Sequence, residues 1–164
     1  MVWNEWKSTI DLGVRRKVYL SYERSRYEEY RKEFETRIVH KFIVVSAEIE
    51  KMPIGSAEEY MAALVGRGLL SEDMGFVALL GPNADNVVDW ELQAAFQIPR
   101  ASSCVVGLLL PDFPLTSDGS YRFRDLPPSI STAVKSGSGK IYTWDSVSSE
   151  DSTIIKVVEE AFID

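Results

Sequence analysis

The chain has 164 residues, with 25 acidic against 18 basic side chains and a formal charge of -7. At 45% hydrophobic and 11% aromatic residues it has enough apolar side chain for one domain-sized core, which excludes a largely disordered chain. One cysteine, Cys104, excludes an internal disulfide, and the absence of an apolar run of about 18 residues or of a secretory start points to a soluble cytoplasmic protein with no membrane partner.

The negative field works against nucleic acid as a partner. A single histidine and a single cysteine give no zinc pattern, so no metal site is expected. Residues 1–16 form an N-terminal arm in which Trp3, Trp6, Ile10 and Val14 recur at helical spacing, as a short helix covering a sheet edge or meeting a partner would require.

Residues 17–22 (Lys-Val-Tyr-Leu-Ser-Tyr) read as the first strand, from their β-branched and aromatic content. Ser25 and Glu28 have capping-box spacing, and Tyr27, Tyr30, Phe34 and Ile38 then recur at three and four residues, which predicts a helix. A second strand follows over 42–47. Ser56 and Glu59 repeat the capping-box spacing ahead of a helix that closes near Gly68.

Residues 75–81 are almost continuously apolar, as in a parallel strand covered on both faces. A helix is expected over 87–98, then a fourth buried strand over 104–110 ended by Pro111. Residues 111–139 read as an irregular insertion, with Leu126, Ile130 and Val134 as a short helix-like anchor. A fifth strand over 140–143 and a last helix with an acidic start at 148–151 complete the chain. Alternating strands and helices with right-handed crossovers predict a parallel three-layer sandwich.

One side chain breaks this pattern. At about 100° per residue, Asn86, Asp89, Gln93 and Gln97 cluster on one side of the third helix, whereas Glu91 falls with Val87, Ala94, Ala95 and Ile98 on the side that packs on the sheet. A carboxylate there either pairs with an arginine such as Arg24 or stays hydrated in a ligand cleft. Open parallel sheets bind ligands beyond the carboxyl ends of their strands, the edge at which the first strand presents Ser21 and Tyr22. His40 precedes the second strand, away from that edge, and Cys104 has no histidine partner, so neither is expected to do chemistry.

Taken in order, residues 17–22, Leu79-Leu80-Gly81-Pro82, the Trp-Glu helix from Val87 to Ala95, Val105-Val106-Gly107-Leu108, Leu126-Pro127-Pro128 and Tyr142-Thr143-Trp144 resemble the TIR-like family associated with bacterial Thoeris anti-phage defence and related signalling proteins. The resemblance covers 17–164 and leaves the arm outside. It implies an α/β, flavodoxin-like sandwich of five parallel strands in the order 2-1-3-4-5, a fold that hosts unrelated functions.

Catalytic members of that family cleave the nicotinamide–ribose bond of NAD and hydrolyse or cyclise the remaining ADP-ribose. The resemblance puts Glu91 at their acidic position, stabilising an oxocarbenium-like ribose; neutral nicotinamide leaves without an obligatory proton donor. Ser21, Tyr22 and Arg24 are the implied substrate-binding residues, touching ribose or phosphate, stacking on a base and offsetting pyrophosphate charge. Trp90 and Asp112 are packing or site-edge residues. NAD is then a substrate with no cofactor required, and a second copy of the chain or a defence-system effector is the implied partner. Two alternatives stand beside this reading: a noncatalytic TIR-like interaction or regulatory module, and a nucleoside deoxyribosyltransferase attacking an N-glycosidic bond with the same glutamate. No Gly-x-Gly-x-x-Gly or Walker sequence supports an ordinary Rossmann or nucleotide triphosphatase reading.

Overall fold

The computed structural model describes residues 15–48, 51–52, 55–83, 86–98 and 104–162. Its five strands are β1 (Arg16–Ser21), β2 (Phe42–Val45), β3 (Gly75–Leu80), β4 (Val105–Leu109) and β5 (Gly139–Thr143). All pair in parallel in the order β2-β1-β3-β4-β5, an α/β flavodoxin-like arrangement. The helices are α1 (Glu28–Ile38), α2 (Ala57–Gly66), α3 (Asn86–Phe96), α4 (Pro128–Lys135), α5 (Trp144–Val147) and α6 (Asp151–Glu159).

Strand periodicity of two divides the core between the two faces of the sheet. Val18, Leu20, Val77, Leu79, Val106 and Leu108 meet Phe34 and Ile38 of α1, Trp144 of α5, and Ile154 and Val158 of α6. The intervening Tyr19, Phe76, Ala78, Leu80, Val105 and Leu109 meet Tyr60 and Leu64 of α2, Val88, Leu92 and Ala95 of α3, and Ile130 of α4. Burying a Val, Leu, Ile or Phe side chain fully contributes roughly 1.5–3 kcal/mol, so these two layers carry the stability of the sandwich.

Several boundaries differ from the sequence expectation for local reasons. Ser25 and Glu28 form no capping box: the residue ahead of α1 is Tyr27, with no side-chain cap, and Glu28 instead takes hydrogen bonds from Tyr22 and Arg31. The second box does form on its serine side, with Ser56 Oγ accepting from Glu59 N at 3.1 Å. α2 then ends as expected near Gly68, whose φ of +71° suits glycine and allows Leu69 N to reach Leu64 O and Gly68 N to reach Val65 O.

β2 stops at Val45, two residues short of the expected end, and β1 begins one residue earlier, inside the expected arm. Residues 1–14 of that arm, with the Trp3, Trp6, Ile10 and Val14 spacing, lie outside the described residues. The insertion holds its expected helix-like anchor as the eight-residue helix α4, and adds a 3-10 turn at Phe123–Asp125. The expected last helix with its acidic start is α6, and the short α5, capped by Thr143, is an addition ahead of it. No helix among the described residues is long and apolar enough to cross a membrane.

Candidate functional site

β1 sends Tyr19 and Ser21 to one face of the sheet, two residues apart, and Ser21 is its last residue. α3 starts just after β3, the neighbour of β1, and turns Glu91 toward that same face. The place where they meet is the carboxyl end of the β1–β3 junction, where the strand order reverses. Glu91 is 0% exposed, as its helical phase predicts, in a layer that apart from Ser21 is made of apolar and aromatic side chains.

Five donors surround its carboxylate. Oε1 accepts from Ser21 Oγ at 2.8 Å and from Arg24 Nη1 at 2.9 Å. Oε2 accepts from Arg24 Nη2 at 3.0 Å, from Tyr60 Oη at 3.0 Å and from Tyr19 Oη. The Tyr19 hydroxyl in turn accepts from Ala47 N at 3.3 Å. Arg24 therefore grips Glu91 in the two-pronged geometry that guanidinium and carboxylate favour, and three neutral hydroxyls fill the remaining acceptor positions.

The environment leaves its mark on titration. Burial and the negative charge of Glu91 push the Tyr19 and Tyr60 phenols well above their ordinary range. Burial works against the charge on Arg24, but Glu91 more than offsets it and carries the guanidinium further up. Tyr22 rises to about 12, from burial and from its hydrogen bond to Glu28. The phenols are thus donors at neutral pH, and the one ion pair of the cluster is Arg24 with Glu91.

The structure brings the sequence-predicted residues together in part. Ser21 and Arg24 touch Glu91 directly. Tyr22 does not: it is buried, its hydroxyl donates to Glu28 Oε2 at 2.7 Å, and the Arg24 guanidinium lies 4.8 Å from its ring centre. The ring face expected to stack on a base is thus partly covered. Asp112 takes a hydrogen bond from Tyr27 Oη at 2.8 Å and an ion pair from Arg26, so it fastens the β1–α1 turn to the end of β4 rather than facing Glu91. Gly81 completes that fastening, because a Cβ there would fall 1.8 Å from Tyr27 Oη.

Trp90 is half-buried against Tyr60, with ring centres 6.0 Å apart, a packing role. Cys104 is buried just ahead of β4, at the opposite edge of the sheet, and burial pushes its thiol up.

An opening does exist, but it lies beside the cluster rather than over it. A groove of about 430 Å³ runs along the carboxyl ends of β1 and β2, lined by Tyr22, Arg24, Arg31, Ser46 and the carboxylates of Glu28, Glu35 and Glu48. Arg24, with its side chain 18% exposed, separates it from Glu91. Of the two outcomes open for Glu91, the structure shows the pairing with Arg24 and not a ligand-sized opening at the carboxylate itself: an ion pair closes it off from the groove.

Sequence reasoning missed Tyr19 and Tyr60, whose aromatic bulk reads as core. The signal was available in their polar tips, since Tyr19 shares strand parity with Ser21 and a buried phenol needs a partner. It also placed Asp89 on the outer face, whereas Asp89 Oδ1 accepts from Ser129 N at 2.8 Å and supplies α4 with the cap its own sequence lacks. Among the described residues no group of three or more His, Cys, Asp or Glu is placed to hold a metal. Comparisons with protein-family models, with curated proteins and with solved structures find no match to this chain.

Proposed function

We propose that the chain is a TIR-like enzyme that breaks the nicotinamide–ribose bond of NAD, releases nicotinamide and converts the remainder to a hydrolysed or cyclised ADP-ribose signal, of the kind used in anti-phage defence. One observation carries the reading: a helix-borne carboxylate converges with Ser21 and Arg24 at the point where the strand order reverses, the ligand position of open parallel sheets. A buried ion pair is a poor way to stabilise a core, because apolar side chains of similar volume commonly do as well or better, which favours a use for Glu91 beyond packing.

In this reading Glu91 stabilises the positive charge that grows on ribose as nicotinamide departs, and Ser21 orients the carboxylate or a ribose hydroxyl. The nucleotide lies along the groove beside Tyr22 and Arg24. NAD is consumed as a substrate in the cytoplasm. The chemistry belongs to an open state, because Arg24 stands against the carboxylate in the closed one.

A second reading draws on a specific observation. Glu91 is 0% exposed and its acceptors are filled, as in a noncatalytic TIR-like module whose glutamate ties β1, α2 and α3 together for partner recognition. Chromatography of the products decides among the readings. The purified chain, incubated with NAD across concentrations that span self-association, is expected to release nicotinamide with ADP-ribose or a cyclised isomer. Release of free base from deoxynucleosides instead assigns the deoxyribosyltransferase, and an unchanged substrate in both incubations assigns the regulatory module.

A further inference from the structure

The five donors on Glu91 are not equivalent. Tyr19 and Ser21 belong to β1 and Tyr60 to α2, and all three are fully buried in regular elements. Arg24 comes from the turn between β1 and α1 and is the member of the cluster that reaches solvent. Its outer side borders the groove, whose walls carry three carboxylates, Glu28, Glu35 and Glu48, against Arg24 and Arg31. Its Nε is buried with no hydrogen-bond partner among the described residues, so the closed position leaves one donor unsatisfied.

We propose that Arg24 is a removable guard on Glu91: it covers the carboxylate in the closed state and turns out into the acidic groove to uncover it. The exchange takes the cation away from a buried carboxylate, which makes the open state the minor one, and the donors that stay on Glu91 limit that cost. When the guanidinium leaves, Glu91 keeps three hydroxyl donors on a rigid seat, so its acceptors are not stripped bare. In the groove the departing guanidinium gives up its bonds to Glu91 and to Tyr22 O and shares Glu35 and Glu48, which are held at the surface by Arg31 and Lys51 in ion pairs of little worth.

The guard also says what the vacated space accepts. Arg24 fills it with a planar, delocalised cation held by both carboxylate oxygens, so a group that enters in its place is selected for positive charge. A ribosyl centre losing nicotinamide is such a group. The inference deepens the NAD reading and, in naming that cargo, rests on it, but the guard itself is measurable without NAD.

Carbodiimide coupling of a small amine to carboxylates, quantified residue by residue by mass spectrometry on the folded full-length chain, reports access to Glu91. Glu29, whose side chain is 89% exposed, serves as the internal standard. Glu91 in the wild-type chain is expected to react far more slowly than Glu29. Arg24→Ala is expected to raise Glu91 coupling about tenfold or more at unchanged Glu29 coupling, since it removes two charge-assisted hydrogen bonds.

The surface pair Glu35→Gln with Glu48→Gln, which leaves the core intact, is expected to lower Glu91 coupling below wild type by depriving the turned-out guanidinium of its partners. Equal Glu91 coupling in wild type and in a folded Arg24→Ala overturns the guard. If Arg24→Ala does not fold, unchanged coupling in the surface pair overturns it. Coupling that follows the guard while NAD remains intact would keep the guard and reject the NAD reading.

Discussion

The two faces of the sheet are built from alternate residues of the same strands, yet they solve different problems. On the α1, α5 and α6 face, β1 contributes Val18 and Leu20, and the buried layer is apolar and aromatic throughout. On the α2, α3 and α4 face the same strand contributes Tyr19 and Ser21, and a carboxylate sits among them at zero exposure. The first face accounts for the fold by burial alone. The second breaks the burial rule at one point and repairs the break with five hydrogen bonds, and such points are where function concentrates.

The largest expected effect tests whether the polar face is there for stability. Glu91→Ala removes one partner of a buried pair and should cost about 3–5 kcal/mol in urea unfolding, because it strands Arg24 and three hydroxyls. Replacing Arg24 and Glu91 together by methionine should recover the part of that loss that comes from the stranded guanidinium, while the three hydroxyls stay without their acceptor. A double variant as unstable as Glu91→Ala would instead make the pair a structural necessity and erase the contrast between the faces.

A smaller effect should appear at alkaline pH. Tyr22 titrates near 12, against an ordinary value of 10.0, and Tyr19 and Tyr60 are also raised. A raised folded pKa stabilises the fold fully below pH 10 and loses that contribution as pH climbs through the folded value, because the unfolded chain gives up its protons first. Tyrosinate absorbance from these three should therefore rise together with loss of circular dichroism, above about pH 10. Ionisation of all the tyrosines near pH 10 in a folded chain would contradict the closed cluster.

The smallest effect separates two similar sequence signals. Ser56→Ala should cost about 1 kcal/mol, since Ser56 caps α2. Ser25→Ala should stay within about 0.5 kcal/mol, since Ser25 caps nothing. Equal losses at the two serines would mean that α1 begins differently from its described start.

The sequence carries the helical phase of Glu91 because α3 is three turns long and its polar residues fix one side unambiguously. It carries the position of Ser21 to within one residue of the strand end, since the expected strand closes at residue 22 and β1 closes at Ser21. It does not carry the closure of the site, which depends on where the turn 24–26 lets one arginine reach, and turn geometry is not encoded by periodicity. Tyr19 and Tyr60 escaped notice because patterning scores a tyrosine by its ring, and Asp89 because a wheel shows which side faces outward but not which neighbouring helix stands there.

Nicotinamide release from NAD by the wild-type chain beside Glu91→Gln tests the role of this acid most directly. The account predicts release by the wild type and a loss of about 100-fold or more in a Glu91→Gln protein whose circular dichroism matches it, the scale of removing a group that stabilises developing charge. Equal release by the two folded proteins would contradict it.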